Sequence, residues 1–274
     1  MINLSGIFSY LITSLITAFE SIFLAFSGTC HFSSEFRPMP KGKLFLIPSV
    51  LAENTAHWVI SPQVQEVIAH TKIFLVENPR SARRYISSLK LGVNIEELHL
   101  EVLDKDTKPE QLPRLMLPLI NGADIGIISE AGCPGIADPG ALAVAYAHQK
   151  GIQVVPISGP SSMFLALMGS GFNGQSFAFH GYLPIDKKDR TAAIKKLEAE
   201  SIREKRAQIF METPFRNNQL LEDLLSTLAP HTKLCIAKNL TAADEMIQTK
   251  TIAEWKNHPV DLHKIPTVFV LQAF

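Results

Sequence analysis

The sequence predicts an α/β protein of two lobes: an N-terminal lobe with a mostly parallel sheet over residues 39–170, and a smaller α/β lobe over 171–274. Three observations predict it. Short apolar runs alternate with amphipathic stretches from residue 43 onward. The most turn-rich stretch of the body, GSGFNGQ at 169–175, separates two such series. Apolar residues make up 46% of the chain and charged residues 19%, enough for packed cores and too apolar for disorder.

Taken in order, residues 43–47 (KLFLI) read as a strand stopped by Pro48, and residues 62–70 as a helix. KIFLV at 72–76 reads as the next strand, and residues 81–91 carry apolar side chains at helical spacing. A helix over 109–121, closed by Asn121-Gly122, precedes the buried strand DIGII at 124–128. An Ala-rich helix over 140–150 ends at Gly151, and the strand at 153–155 runs into ISGPSS. Phe164, Leu165, Leu167 and Met168 then have the spacing of core residues. In the second lobe, strands are expected at 176–182, 207–211, 233–237, 245–249 and 267–272, with helices at 187–200 and 217–228.

Several classes are excluded. Lys plus Arg and Asp plus Glu balance at 26 each, so the chain has no global charge signature for nucleic acid. Cys30, Cys133 and Cys235 form no CxxC pair and no Cys/His ligand spacing, which argues against a disulfide scaffold and a zinc site and fits a reducing compartment. Residues 1–38 stand apart. Residues 7–26 are as long as a membrane span, broken only by Glu20, yet no basic residue precedes them as a secretory signal requires. If the stretch is an anchor, Arg37, Lys41 and Lys43 mark the cytoplasmic side; alternatively the functional chain starts at Met39. Either way the body is expected in the cytoplasm.

The strongest local signal is SEAGCPGIADPG at 129–140, at the carboxyl end of a buried strand and before a helix, where open α/β folds bind ligands. Gly132, Gly135 and Gly140 permit positive φ and close approach of a ligand to the backbone, Pro134 and Pro139 stiffen the loop, and Asp138 is placed to cap the following helix. The spacing is neither GxGxxG nor a Walker loop, which counts against NAD and ATP. ISGPSS at 157–162 is a second strand-to-helix loop, with Ser161 and Ser162 offering hydroxyls and N–H donors. Following neighbouring strands, the two loops would make a crevice.

SEAGCPGIADPG, VVPISGPSS, FAFHGYLP and IFMETPFR, in that order, resemble the bacterial family that methylates a cytidine ribose 2′-hydroxyl in 16S ribosomal RNA, a branch of the tetrapyrrole methylase superfamily. The resemblance runs from about residue 41 to 274 and implies a mostly parallel first sheet, a mixed second sheet, a cleft holding S-adenosylmethionine, and a homodimer. Position by position it implies Pro48, Glu130, Gly132, Cys133, Ser161, Ser162, Met211, Ala237, Pro266 and Thr267 around the donor, with no metal. An in-line displacement on an activated sulfonium would follow, with positioning supplying several kcal/mol and a nearby group accepting the hydroxyl proton.

The acceptor side departs from the family. SVLAENTAHWV follows the first strand where a Gly-Asn pair belongs, Glu77-Asn78-Pro79-Arg80 replaces an Asp-Thr-Arg group, and EVLDKDTKPE stands where a His-Asn-Glu segment is expected. Glu77 and Arg80 remain the candidate catalytic pair. Arg83 and Arg84 form a basic cluster with Arg80, and Glu212 and Arg216 are candidate substrate contacts, although a helix start and a surface pair explain them nearly as well. A second basic run follows from Lys187 to Arg206, with no interleaved aromatic platform. His180 is read as a packed residue between lobes. Two alternatives stay open: a small-molecule methyltransferase of the same fold, and a protein that binds the donor without catalysis.

Overall fold

The structure, a computed structural model, describes residues 40–274; the apolar stretch at 7–26, Cys30, Arg37 and Met39 lie outside the described residues. Two five-stranded sheets organise the chain. The first contains β1 (Leu44–Ile47), β2 (Ile73–Val76), β3 (His99–Val102), β4 (Ile125–Ile128) and β5 (Val154–Pro156), in the order β3-β2-β4-β1-β5 with every pairing parallel. Parallel strands need crossovers and both faces covered, and the sequence supplies the cover. Leu112, Leu115, Met116 and Leu119 with Ala143 and Ala147 pack one face against Leu44, Leu75 and Ile127. Val64, Ile68, Ala82, Tyr85 and Ile86 pack the other against Ile47, Phe74 and Val76. The continuous apolar character of KIFLV and DIGII is therefore the mark of strands buried on both sides.

The helices on this sheet are α1 (Ala56–Val59), α2 (Pro62–His70), α3 (Pro79–Ser88), α4 (Leu112–Leu115), α5 (Leu117–Ile120) and α6 (Gly140–Gln149). Ser61 accepts from Val64 N and Asn78 from Arg80 N and Ser81 N, so the starts of α2 and α3 follow from an N-cap with proline at N1. The continuous helix expected over 109–121 is corrected to a 3-10 turn at Pro109–Gln111 followed by α4 and α5. Pro113 and Pro118 lack the N–H that an unbroken ladder requires. β3 was not expected from sequence: HLEV is an edge strand, largely exposed, without period-2 apolar alternation.

Helix α7 (Ser162–Ser170) follows β5 and packs on the second sheet, so the ISGPSS loop hands the chain from one sheet to the other. Its inward face is Met163, Ala166, Leu167 and Ser170, the i, i+3, i+4, i+7 stripe. Of the four residues expected in the core, Phe164 and Met168 are instead exposed, because only one face of α7 is covered. Gly171, at φ 72°, terminates the helix in the left-handed region.

The second sheet contains β6 (Phe177–Tyr182), β7 (Ala207–Met211), β8 (Lys233–Lys238), β9 (Met246–Thr251) and β10 (Thr267–Gln272), ordered β6-β7-β10-β8-β9. Only β6 and β7 pair in parallel; the remaining pairs are antiparallel. On the face opposite α7 lie α8 (Lys187–Glu204), α9 (Asn217–Thr227) and α10 (Ile252–Lys256), burying Ile194, Leu197, Leu220, Leu224 and Trp255 against Phe210, Ile236 and Phe269. Arg190 is 1% exposed within this layer. Its Nε and Nη2 donate to Asp223 at 2.7 and 2.5 Å, and its Nη1 donates to the Ile185 carbonyl at 2.6 Å. No helix among the described residues is long and apolar enough to cross a membrane.

Candidate active site

The carboxyl ends of β1, β4 and β5 carry three loops that are tied together. Ser49 N donates to the Gly132 carbonyl at 2.9 Å and Ser49 Oγ to the Ser129 carbonyl at 3.1 Å, joining the β1 and β4 loops. Gly159, in the β5 loop, lies flat against Pro48; a Cβ built there would sit 2.2 Å from the Pro48 ring. The Cys133 thiol donates to the Pro160 carbonyl at 3.4 Å, closing the third side. β4 and β5 flank β1 and do not pair with each other, which corrects the expectation that the two glycine loops follow neighbouring strands. They meet because β1 lies between them and its own loop is the bridge.

Asp138, expected to cap α6, stands one residue before the N-cap position, which Pro139 occupies, and ties the glycine loop to the first N–H of the helix. Its Oδ1 accepts from Gly135 N at 2.6 Å and Gly140 N at 2.8 Å. Gly132 and Gly135 hold φ of 75° and 84°, where glycine avoids the strain a side chain would bring. Burial raises the Asp138 carboxyl above the usual carboxylate range, against the two N–H bonds that pull it down. Burial, with help from Asp138, also raises the Cys133 thiol, so Cys133 is a small apolar wall residue rather than a thiolate.

A cavity of about 480 Å³ opens where these loops face the second sheet, within the range of small-molecule sites. Its lining comes from the β1 loop (Leu51, Ala52, Glu53), the glycine loop (Ala131), the start of α7 (Ser162), and the ends of β6, β7, β8 and β10. Of the residues expected around a donor, Ser162, Met211, Ala237, Pro266 and Thr267 line this cavity. Gly132, Cys133 and Ser161 line a recess of about 50 Å³ that shares Ala131, Ser162, Met211 and Val268 with it. Pro48 lines neither; it packs behind Gly159, its carbonyl accepting from the Tyr85 hydroxyl at 2.8 Å. The cavity residues that sequence reasoning missed include Tyr182, Asn239 and Leu240. Tyr182 sits inside FAFHGYLP and Asn239 follows a strand end at φ 48°, a left-handed residue that marks a tight turn.

Glu77 and Glu130 belong to a neighbouring group on the ends of β2 and β4. Glu77 Oε1 accepts from Glu130 N at 3.1 Å, and Ser81 Oγ donates to Glu130 Oε2 at 3.1 Å. Glu130 lines a separate cavity of about 40 Å³ with Ser49, Asn78 and Tyr85, and neither carboxylate lines the main one. Burial first, then the charges of Asp138, Glu130 and Asp104, raise the Glu77 carboxyl, partly offset by the Glu130 N–H. Arg80, Arg83 and Arg84 are exposed on α3.

Glu212 is 4% exposed and lines the main cavity. It accepts from Arg216 Nη2 at 2.6 Å, so the two candidate substrate contacts form a half-buried ion pair in the loop after β7, and the competing explanation of a surface pair does not hold. His180, expected between the lobes, lies in β6 and contacts the neighbouring strand β7, its Nε2 2.6 Å from Gln208 Oε1. Cys133 and Cys235 are free thiols. Among the described residues no cluster of His, Cys, Asp and Glu is arranged to hold a metal ion.

Comparison with known proteins agrees with this architecture. Residues 59–256 match the family described as Tetrapyrrole (Corrin/Porphyrin) Methylases. A Vibrio cholerae protein named Ribosomal RNA small subunit methyltransferase I is 31% identical over 221 residues, covering 80% of this chain and 72% of that protein. The protein of the same name from Escherichia coli O157:H7 is 28% identical over 214 residues, covering 78% and 71%. Among solved structures, that of the methyltransferase CobJ superposes with a TM-score of 0.57 at 17% identity, covering 84% of this chain and 94% of the other. The conserved hypothetical protein APE0931 from Aeropyrum pernix K1 gives 0.60 at 14% identity, covering 85% of each. The two sheets, the tied loops between them and the relatives agree: this chain belongs to the tetrapyrrole methylases, on the branch of the small-subunit ribosomal RNA methyltransferase I proteins, and is a methyltransferase.

Proposed function

We propose that this chain transfers a methyl group from S-adenosylmethionine to a ribose 2′-hydroxyl in small-subunit ribosomal RNA. The observation that carries this reading is convergence. Ser162, Met211, Ala237, Pro266 and Thr267, spread over more than a hundred residues of sequence, meet on one cavity beside the recess of Gly132, Cys133 and Ser161. These residues fit the donor: Met211, Ala237 and Val268 offer an apolar slot for adenine, while loop N–H groups and hydroxyls suit ribose and carboxylate. The donor supplies a methyl group already activated on a sulfonium.

The chain's own part is to place, shield and deprotonate. The tied loops hold the cavity wall in register. Glu77, half-buried with its pKa raised, is the group we assign to accept the hydroxyl proton. Arg80, Arg83 and Arg84, exposed on α3, are placed to meet phosphates. Glu130 and Pro48 support the loops, and Arg216, held by Glu212 at the cavity edge, is assigned to the acceptor. In this reading residues 39–170 and 171–274 form two lobes around the donor, and the protein acts in the cytoplasm. It acts as a homodimer, which the exposed Phe164 and Met168 on α7 favour.

The test is incubation of the full chain with methyl-labelled S-adenosylmethionine and small ribosomal subunits from a matched strain lacking the gene. Label on a ribose of the small-subunit RNA is the expected result. Donor binding without label in RNA would refute the acceptor assignment and leave the donor assignment standing.

A further inference from the structure

We propose that Phe215, with Lys264 and His263, forms a seat for an unpaired RNA base next to the nucleotide being methylated; this rests on the RNA reading above. Phe215 is 69% exposed, and one exposed apolar side chain alone means little. What distinguishes it is rigidity, place and charge.

The turn carrying Phe215 is pinned from two directions. Lys264 N donates to the Pro214 carbonyl at 2.9 Å, and Asn217 Nδ2 donates to the Ile265 carbonyl at 2.6 Å. Arg216 N closes the turn on the Thr213 carbonyl at 2.9 Å, and Leu262 N donates to Asn218 Oδ1 at 2.7 Å. Lys264 takes φ 59°, a left-handed conformation that a non-glycine residue adopts at a cost. That conformation belongs to the turn carrying its ammonium over the Phe215 ring, 5.8 Å from the centroid. The ring is thus held out to solvent by a constrained scaffold.

Its place is the rim of the main cavity. Glu212 and Pro214 before it, and Pro266 and Thr267 after Lys264, all line the cavity. The two loops lie together because β7 and β10 are neighbours in register, Met211 opposite Val268. Tyr182, 55% exposed, lines the same cavity. One cation sits on it: the Lys264 ammonium lies over one face, while the His263 ring stands edge-on at 6.4 Å. Arg216 adjoins in sequence but is bonded to Glu212, and the nearby Asp261 carboxylate accepts from Asn218 Nδ2 and His263 N. An aromatic ring with one face open and an ammonium on the other suits a base stacked on the open face with a phosphate on Lys264.

The full chain, loaded with S-adenosylhomocysteine, is titrated into a fluorescein-labelled single-stranded RNA and into an abasic oligomer of equal length and charge. Phe215→Ala should weaken binding of the base-bearing RNA by about 5- to 100-fold and leave the abasic oligomer unchanged. Phe215→Trp should restore the difference. Lys264→Ala should weaken both alike and flatten the salt dependence. The proposal is overturned if Phe215→Ala binds the base-bearing RNA as wild type does, weakens both oligomers equally, or alters the melting midpoint or assembly state. If the wild-type chain methylates subunits while Phe215→Ala does so with unchanged KM, the platform alone falls. If the wild-type chain neither binds nor methylates RNA, the functional reading falls with it.

Discussion

Replacing Gly159 by alanine tests whether the cavity depends on the contact between the β1 and β5 loops. The added Cβ would lie 2.2 Å from both Cβ and Cγ of Pro48, short of ordinary van der Waals contact by more than 1 Å. The proline ring has no rotamer into which to retreat, so the two loops must separate. Pro48 is further held by the Tyr85 hydroxyl, and Ser49 beside it by the β4 loop, so the displacement spreads to Gly132 and Ser162. Overpacking of this kind costs about 1–3 kcal/mol, or roughly 2–12 °C in melting midpoint for a unit of this size. A shift of about 1 Å at a positioning element lowers turnover by about 100-fold. Calorimetric donor affinity, thermal melting and single-turnover methyl transfer would be measured against Gly174→Ala, where a Cβ meets nothing within 4 Å. Wild-type donor affinity and melting in Gly159→Ala would refute the view that these loops brace the site.

Two further predictions follow from the buried and half-buried charges. Asp223→Ala strands the Arg190 guanidinium, which is 1% exposed, and should cost about 3–5 kcal/mol in urea unfolding; the double change Arg190→Met/Asp223→Leu should recover most of that loss, and equal losses in both would argue against it. Because the Glu77 carboxyl is raised by burial, its base form is lost at a higher pH than an ordinary carboxylate's, so kcat should fall as pH drops through that raised value. Glu77→Gln should remove this limb and lower kcat by about 100- to 10,000-fold. In the wild type, ionisation of the raised carboxyl opposes folding increasingly as pH rises from the unfolded to the folded pKa. The Gln variant should therefore be at least as stable at neutral pH; wild-type kcat in that variant, or a persisting acid limb, would remove Glu77 from the proton path.

Much of the fold was legible because its signals are local. KLFLI, KIFLV and DIGII announce strands, and residues 62–70 and 81–91 announce helices by their spacing, although the second begins at Pro79, where the Asn78 cap and proline set its start. The misses share a cause in context. β3 is a strand because β2 offers it an edge, not because HLEV prefers one. Phe164 and Met168 share an apolar helix with Met163 and Leu167, and only the placement of the second sheet decides which side is covered.

The same division holds at the site. By itself the sequence determined the two α/β series, the glycine loop with Asp138 before its helix, and the family to which the four ordered motifs belong, because each depends on residues near one another in the chain. Only the tertiary structure decided that Ser162, Met211, Ala237 and Thr267 face one cavity, that Glu77 and Glu130 group apart from it, and that Phe215 stands at its rim beneath the Lys264 ammonium. Those relations join segments far apart in sequence. They are set by strand order and by the packing of α7 on the second sheet after a loop from the first, which no short stretch of chain encodes.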